Sequence, residues 1–127
     1  LYPNASEVVN YLAKDNTIKI ITSRGSARLH DADMRPKVYC GTVEWLQKHN
    51  IPYNDLCIVE NKNEVEADIY IEDSPAHLES FISHNKRYVI FSNKYNDHIP
   101  TDLIRTSNWL TILDKVCHLK VNSWPKK

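Results

Sequence analysis

Two acids stand side by side in "ADIYIEDSPAH", where Glu72 and Asp73 close the short apolar run Ile69, Tyr70 and Ile71. Adjacent like charges at a strand end repel each other, and burial raises the cost, so something cationic normally compensates. Two further apolar runs end in groups of a different kind. "IKIITSR" closes on Thr22, Ser23 and Arg24, and "LCIVE" is followed by Asn61 and the isolated Lys62. A hydroxyl and an ammonium both bind phosphate, one by hydrogen bond and the other by charge. Two carboxylates would repel that phosphate unless a hard divalent cation sat between them. Mg2+ suits such a set, because it favours a few carboxylates together with phosphate oxygens and retained waters. A plainer reading of "ED" before "SP" is a solvated acidic turn, with Asp73 capping the helix that Pro75 opens.

The elements that must position these groups alternate along the chain. Asn4 reads as the cap of a helix over 4–15, with Glu7 completing a capping box and Ala5, Val8, Val9 and Leu12 on its apolar face. A strand over 18–22 follows, then a polar loop containing Gly25. Pro36 opens a helix to about residue 50, burying Tyr39, Val43 and Leu46. Strands are expected over 56–60, 69–72 and 87–91. The third of these is preceded by a helix over 75–84 with Leu78, Phe81 and Ile82 inward. Asn108 caps a last helix over 109–119, and residues 120–127 are expected as a flexible tail. Strands that are nearly all apolar, alternating with helices, predict an α/β fold: a Rossmann-like parallel sheet with helices on both faces. In such sheets ligands bind beyond the carboxyl ends of the strands. Thr22, Lys62, Glu72 and Asp73 are then expected on one edge, with Ser92, Asn93 and Lys94 after the last strand.

Composition narrows the function classes. The chain has 127 residues, 42% hydrophobic and 25% charged, with 16 basic and 16 acidic side chains. That is one modest domain, 1–119, with no charge excess to suggest nucleic acid. No apolar run approaches the roughly 20 residues that span a bilayer. Cys40, Cys57 and Cys117 are widely spaced and odd in number, which reads as buried free thiols in a reducing, cytoplasmic setting. The six histidines show no metal-ligand spacing.

Strand-then-Thr in "IKIITSR", the lone lysine in "ENKNEVEAD" and the acidic pair in "DIYIEDSP" resemble the second, third and fourth motifs of the haloacid dehalogenase-like phosphohydrolases. Within that superfamily the chain is most similar to the 5'(3')-deoxyribonucleotidases and their bacterial relatives, which "FSNKYNDHIP" followed by "RTSNWL" also resembles. The resemblance runs over about residues 2–119. It implies a Mg2+-dependent phosphomonoesterase whose substrate is a small phosphomonoester, a (deoxy)nucleoside monophosphate. It implies that Thr22 binds the transferring phosphoryl group, helped by backbone near Ser23, and that Lys62 offsets charge on nucleophile and phosphate. Asp73 would ligate Mg2+, and Glu72 would do so directly or through water. The family commonly has Asp-Asp here, so Glu72 is a departure. Arg24 reads equally as a substrate contact or a solvated loop arginine.

The family's first motif, a strand running into Asp-x-Asp-x-Thr, supplies the nucleophile and the general acid and base. The one Asp-x-Asp here is Asp31-Ala32-Asp33, in "HDADM". It follows no buried strand and reads as a solvated loop or the approach to the Pro36 helix. By the resemblance, the first motif and a helical cap would precede Leu1, its strand lying between those that end at Thr22 and Glu72. The expectation is therefore a C-terminal portion that hydrolyses nothing alone and is completed by an N-terminal segment, carried on the same or another chain; a homodimer is the other partner considered. Two other readings stay open. One is a phosphatase of the same fold acting on a sugar phosphate or polynucleotide end. The other is a non-catalytic module that keeps the phosphate and metal pocket.

Overall fold

The apolar runs become strands, and every strand pairing is parallel. The computed structural model describes residues 2–99 and 104–121. In chain order the elements are α1 (Ala5–Leu12), β1 (Lys19–Thr22), α2 (Arg35–Lys48), β2 (Asp55–Ile58), β3 (Tyr70–Glu72), α3 (Pro75–Ser83), β4 (Tyr88–Phe91), β5 (Arg105–Thr106) and α4 (Trp109–Val121). Short 3-10 turns occupy Ser26–His30 and Lys62–Glu64. The chain is α/β, as its pattern predicts. Its strands form a two-stranded sheet, β1-β2, and a three-stranded sheet, β3-β4-β5. Among the described residues no strand pairs between the one ending at Thr22 and the one ending at Glu72, in line with the expected missing middle strand.

Two compact units result: Ala5–Val65, and Glu66–Lys127 with Tyr2–Asn4. In the first, β1 and β2 align from Lys19 opposite Asp55 to Thr22 opposite Ile58. Helix α1 buries Ala5, Val8 and Leu12, as its spacing predicts. Asn4 precedes it with φ 65°, outside the extended conformation a capping residue usually takes. Helix α2 buries Leu46 alone. Tyr39, expected inward, is 37% exposed and Trp45 46% exposed, while Val43 is half-buried. The reason lies one residue earlier: Val38 is the side chain set against the loop at Gly25, and Tyr39 sits about 100° further round the helix.

Both units turn from helix to strand by the same device. After α2, the Ile51 N–H donates to Leu46 O (3.0 Å) and the Asn50 N–H to Gln47 O (3.1 Å). After α3, the Lys86 N–H donates to Phe81 O (2.9 Å) and the Asn85 N–H to Ile82 O (3.2 Å). This paired pattern needs a left-handed residue just past the helix, and Asn50 (φ 57°) and Asn85 (φ 55°) supply it. The Asn50 carbonyl then accepts from Ser6 Oγ (2.8 Å) and Asn10 Nδ2 (3.0 Å), fastening α1 to the end of α2.

In the second unit β4 is central and buried along its whole length, which is why Tyr88 to Phe91 reads as an unbroken apolar run. Leu78 and Phe81 of α3 and Ile112, Val116 and Leu119 of α4 complete the core. Tyr70 lies opposite Tyr88 in the register and stacks on Phe81, with centroids 4.4 Å apart. Burial pushes both phenols above their usual pKa, and the charge of Glu66 adds to the shift at Tyr70. The Asn108 cap is as expected, with Oδ1 accepting the Leu110 N–H at 2.8 Å. Strand β5 was not expected, since a two-residue pair of Arg105 and Thr106 carries no apolar alternation. Helix α4 continues to Val121, into the stretch expected as tail; residues 122–127 of that tail lie outside the described residues. The cysteines are free, but Cys40 and Cys117 are exposed and only Cys57 is partly covered, which corrects the expectation of buried thiols. Both exposed thiols lie on helix faces turned away from the packed residues.

Gly25 sets the turn after β1. Its φ is 80°, and a Cβ there would come within 2.9 Å of Val38 Cγ1. Gly25→Ala is therefore expected to destabilise the protein by about 1–3 kcal/mol, from left-handed strain and the Val38 overlap. Urea unfolding checks this; an unchanged midpoint would show that the turn relaxes without cost.

Candidate functional site

The groups singled out by type all lie at or just past the carboxyl ends of strands. In the first unit Thr22 closes β1. Its carbonyl accepts the Val59 N–H (2.9 Å), and its Oγ1 accepts the Arg24 N–H (3.1 Å). A hydroxyl that accepts through oxygen keeps its proton for another acceptor, so Thr22 is held while remaining a donor. The chain then turns through Ser23 and the exposed Arg24 into the 3-10 turn, with the Ser26 N–H on Ser23 O (3.1 Å). Lys62 begins the second 3-10 turn, four residues past the end of β2. Its carbonyl accepts the Val65 N–H (3.2 Å), and the residue is half-buried. Parallel pairing of β1 with β2 puts Thr22 and the Lys62 turn at the same end of that sheet.

Asp31 and Asp33 form an exposed turn between the 3-10 turn and α2. Asp31 Oδ1 accepts the Asp33 N–H (2.9 Å), and the Asp31 carbonyl accepts the Met34 and Arg35 N–H groups (3.1 and 3.0 Å). This is the solvated approach to α2 rather than a strand-borne nucleophile pair.

In the second unit the acidic pair divides into two different roles. Glu72 is the last residue of β3 and only 8% exposed. Its Oε1 accepts the N–H groups of Asp73 (3.1 Å) and Ser74 (3.2 Å). A carboxylate turned onto two backbone donors spreads its charge into the main chain, which lowers the cost of burying it beside a second acid. Asp73 is half-buried. The N-cap position of α3 belongs to Ser74, with Pro75 opening the helix, so the capping role that the plainer reading gave Asp73 is not the one its position provides.

Past β4, Asn93 and Asn96 close a tight turn on each other. Asn93 Oδ1 accepts the N–H groups of Tyr95 (2.9 Å) and Asn96 (3.1 Å), and Asn96 Oδ1 accepts the Asn93 N–H (3.1 Å). Ser92 Oγ accepts from Arg105 (3.1 Å). Lys94 is exposed, its Nζ 5.2 Å from the Tyr95 ring centre. Asn96 and Arg105 were not singled out in the sequence, where only Ser92, Asn93 and Lys94 were expected beyond the end of that strand. The signal was the Asn-x-x-Asn spacing, which lets each side chain reach the other's backbone N–H.

The described residues contain no group of three or more His, Cys, Asp or Glu side chains that could hold a metal by themselves. Mg2+ does not need such a cage, since one or two carboxylates with phosphate and water suffice. Asp73 with Glu72 behind it fits that partial donor set. No helix among the described residues is long and apolar enough to cross a membrane.

The Glu72 contacts give a direct expectation. Glu72→Ala strands two backbone donors in a covered turn and should cost about 2–4 kcal/mol, while Glu72→Gln keeps an acceptor and should cost less. Chemical denaturation of both variants measures this, and equal stability of Glu72→Ala and the parent would contradict it.

Comparison with known proteins places the chain in a family. The family model described as "5' nucleotidase, deoxy (Pyrimidine), cytosolic type C protein" matches residues 2–122. A curated protein of Chlorobaculum tepidum, named "Putative 5'(3')-deoxyribonucleotidase", is 41% identical over 75 residues, which are 59% of this chain and 36% of that protein. The match thus spans about a third of the relative's length. No solved structure matches the chain.

Proposed function

We propose, because this chain belongs to the family of 5' nucleotidase, deoxy (Pyrimidine), cytosolic type C proteins within the haloacid dehalogenase-like fold, that the whole protein is a Mg2+-dependent phosphomonoesterase acting on (deoxy)nucleoside monophosphates. The observation that carries the reading is the inequality of the two acids: Glu72 is spent on the main chain, and Asp73 follows it at the strand end without the N-cap position. Asp73 is the carboxylate for the metal, with Glu72 acting from behind it or through water.

Each remaining residue has a defined task. The Thr22 hydroxyl donates to an oxygen of the transferring phosphoryl group, and the Ser23 backbone assists. The Lys62 ammonium offsets the charge that gathers on nucleophile and phosphate, a stabilisation worth most where water is excluded. Arg24 is exposed two residues past Thr22, which suits a substrate contact and a solvated loop arginine equally. When bound, Mg2+ would polarise the phosphoryl oxygens and neutralise part of their charge. In this reading the aspartate that attacks phosphorus and forms an aspartyl-phosphate lies outside these 127 residues, a view supported by the solvated turn that holds Asp31 and Asp33. The 127 residues alone are then expected to be inactive, and a segment or chain that carries such an aspartate completes the site. Free thiols at Cys40, Cys57 and Cys117, two of them exposed, favour a reducing compartment such as the cytoplasm.

In the whole protein, Asp73→Asn is expected to raise the Mg2+ concentration needed for half-maximal activity and to lower turnover about 100-fold. An unchanged Mg2+ titration and turnover would refute the assignment. Lys62→Ala is expected to reduce turnover by a similar factor with a melting temperature close to the parent's. A large fall in melting temperature at normal specific activity would make Lys62 structural instead.

A further inference from the structure

Asp73 is gripped on both sides of its main chain by buried side chains. Its N–H donates to Glu72 Oε1 at 3.1 Å, and its carbonyl accepts from Asn96 Nδ2 at 2.8 Å. Asn96 is fully buried, at 0% exposure. Its second amide proton goes to the Phe91 carbonyl at the end of β4 (2.9 Å), so one NH2 group ties the carboxyl end of β3 to that of β4. Its Oδ1 accepts both the Asn93 N–H (3.1 Å) and Arg105 Nη1 (2.9 Å). Both donors and both lone pairs of the amide are therefore used. A flipped amide would set oxygen against two carbonyls and NH2 against two donors, which fixes its orientation.

Arg105 locks this amide in turn. Its Nη2 donates to the Asn96 carbonyl (3.0 Å) and the Ile99 carbonyl (2.8 Å), and its Nη1 also reaches Ser92 Oγ (3.1 Å). A buried polar network of this kind costs desolvation that an apolar filling would avoid, and its return is a single defined geometry. Its contact with β3 is made at the Asp73 peptide. Holding both the N–H and the C=O of a residue sets the direction of its Cα–Cβ bond, leaving the carboxylate only its own side-chain rotations.

We propose that Asn96 is a positioning residue that aims the Asp73 carboxylate at a divalent cation, with Arg105 locking the Asn96 amide. The inference rests on the reading of Asp73 as a metal ligand, and the test separates the two. Mn2+ serves as the probe, its binding to the whole protein followed by electron paramagnetic resonance of the free ion, without substrate. Asn96→Asp keeps the size and the acceptor facing Arg105, but turns an oxygen toward the Asp73 and Phe91 carbonyls. It is expected to weaken Mn2+ binding about 10- to 100-fold, the range typical of groups that orient a ligand from behind. Arg105→Lys keeps the charge but loses the fork, and should weaken binding by a smaller factor with the fold intact. Asp73→Asn is the reference. If it binds Mn2+ as the parent does, the metal-ligand reading is wrong and this inference falls with it. If Asp73→Asn weakens binding while folded Asn96→Asp and Arg105→Lys match the parent, Asn96 serves the core alone and only this inference is overturned. Should Asn96→Asp fail to fold, Arg105→Lys decides the question on the same terms.

Discussion

The candidate metal edge depends on how two adjacent carboxylates share one strand end. Glu72 resolves the conflict by turning inward, where a single oxygen takes the N–H groups of Asp73 and Ser74. The charge is then held by backbone donors, and the same bonds shape the turn from β3 into α3. Asp73 inherits a fixed backbone as a result.

This division was not legible in the sequence. Two carboxylates in "IEDSP" present the same chemistry, and only the path of the chain decides which of them meets backbone donors. The parallel α/β character was legible, because β4 is buried on both faces and so reads as an unbroken apolar run. Helix starts at Pro36, Pro75 and Asn108 were legible from residue type, as was the apolar stripe of α1. The inward face of α2 was legible in part: Leu46 is buried and Val43 half-buried as expected, but Tyr39 is exposed and the loop at Gly25 meets Val38 instead. Strand β5 and Asn96 escaped for a common reason: short polar stretches carry no period, and each is ordered by partners distant in sequence, β5 by pairing with β4 and Asn96 by Arg105.

The two units carry different groups of the candidate site on differently built supports. Thr22 and the Lys62 turn stand at the end of a two-strand pair, held mainly by backbone bonds and by a tight glycine turn. Asp73 stands at the end of a three-strand sheet with a densely buried centre and a polar brace beneath it. A phosphate is held by charge and donors that tolerate small displacements, whereas an octahedral cation such as Mg2+ demands its oxygens in narrow positions.

The most direct test of the account is phosphate release from deoxynucleoside monophosphates by the whole protein, measured with Mg2+ and again after chelation. The account predicts release that requires Mg2+ and returns when the metal is restored. No release from any nucleoside monophosphate, or release indifferent to chelation, would contradict it.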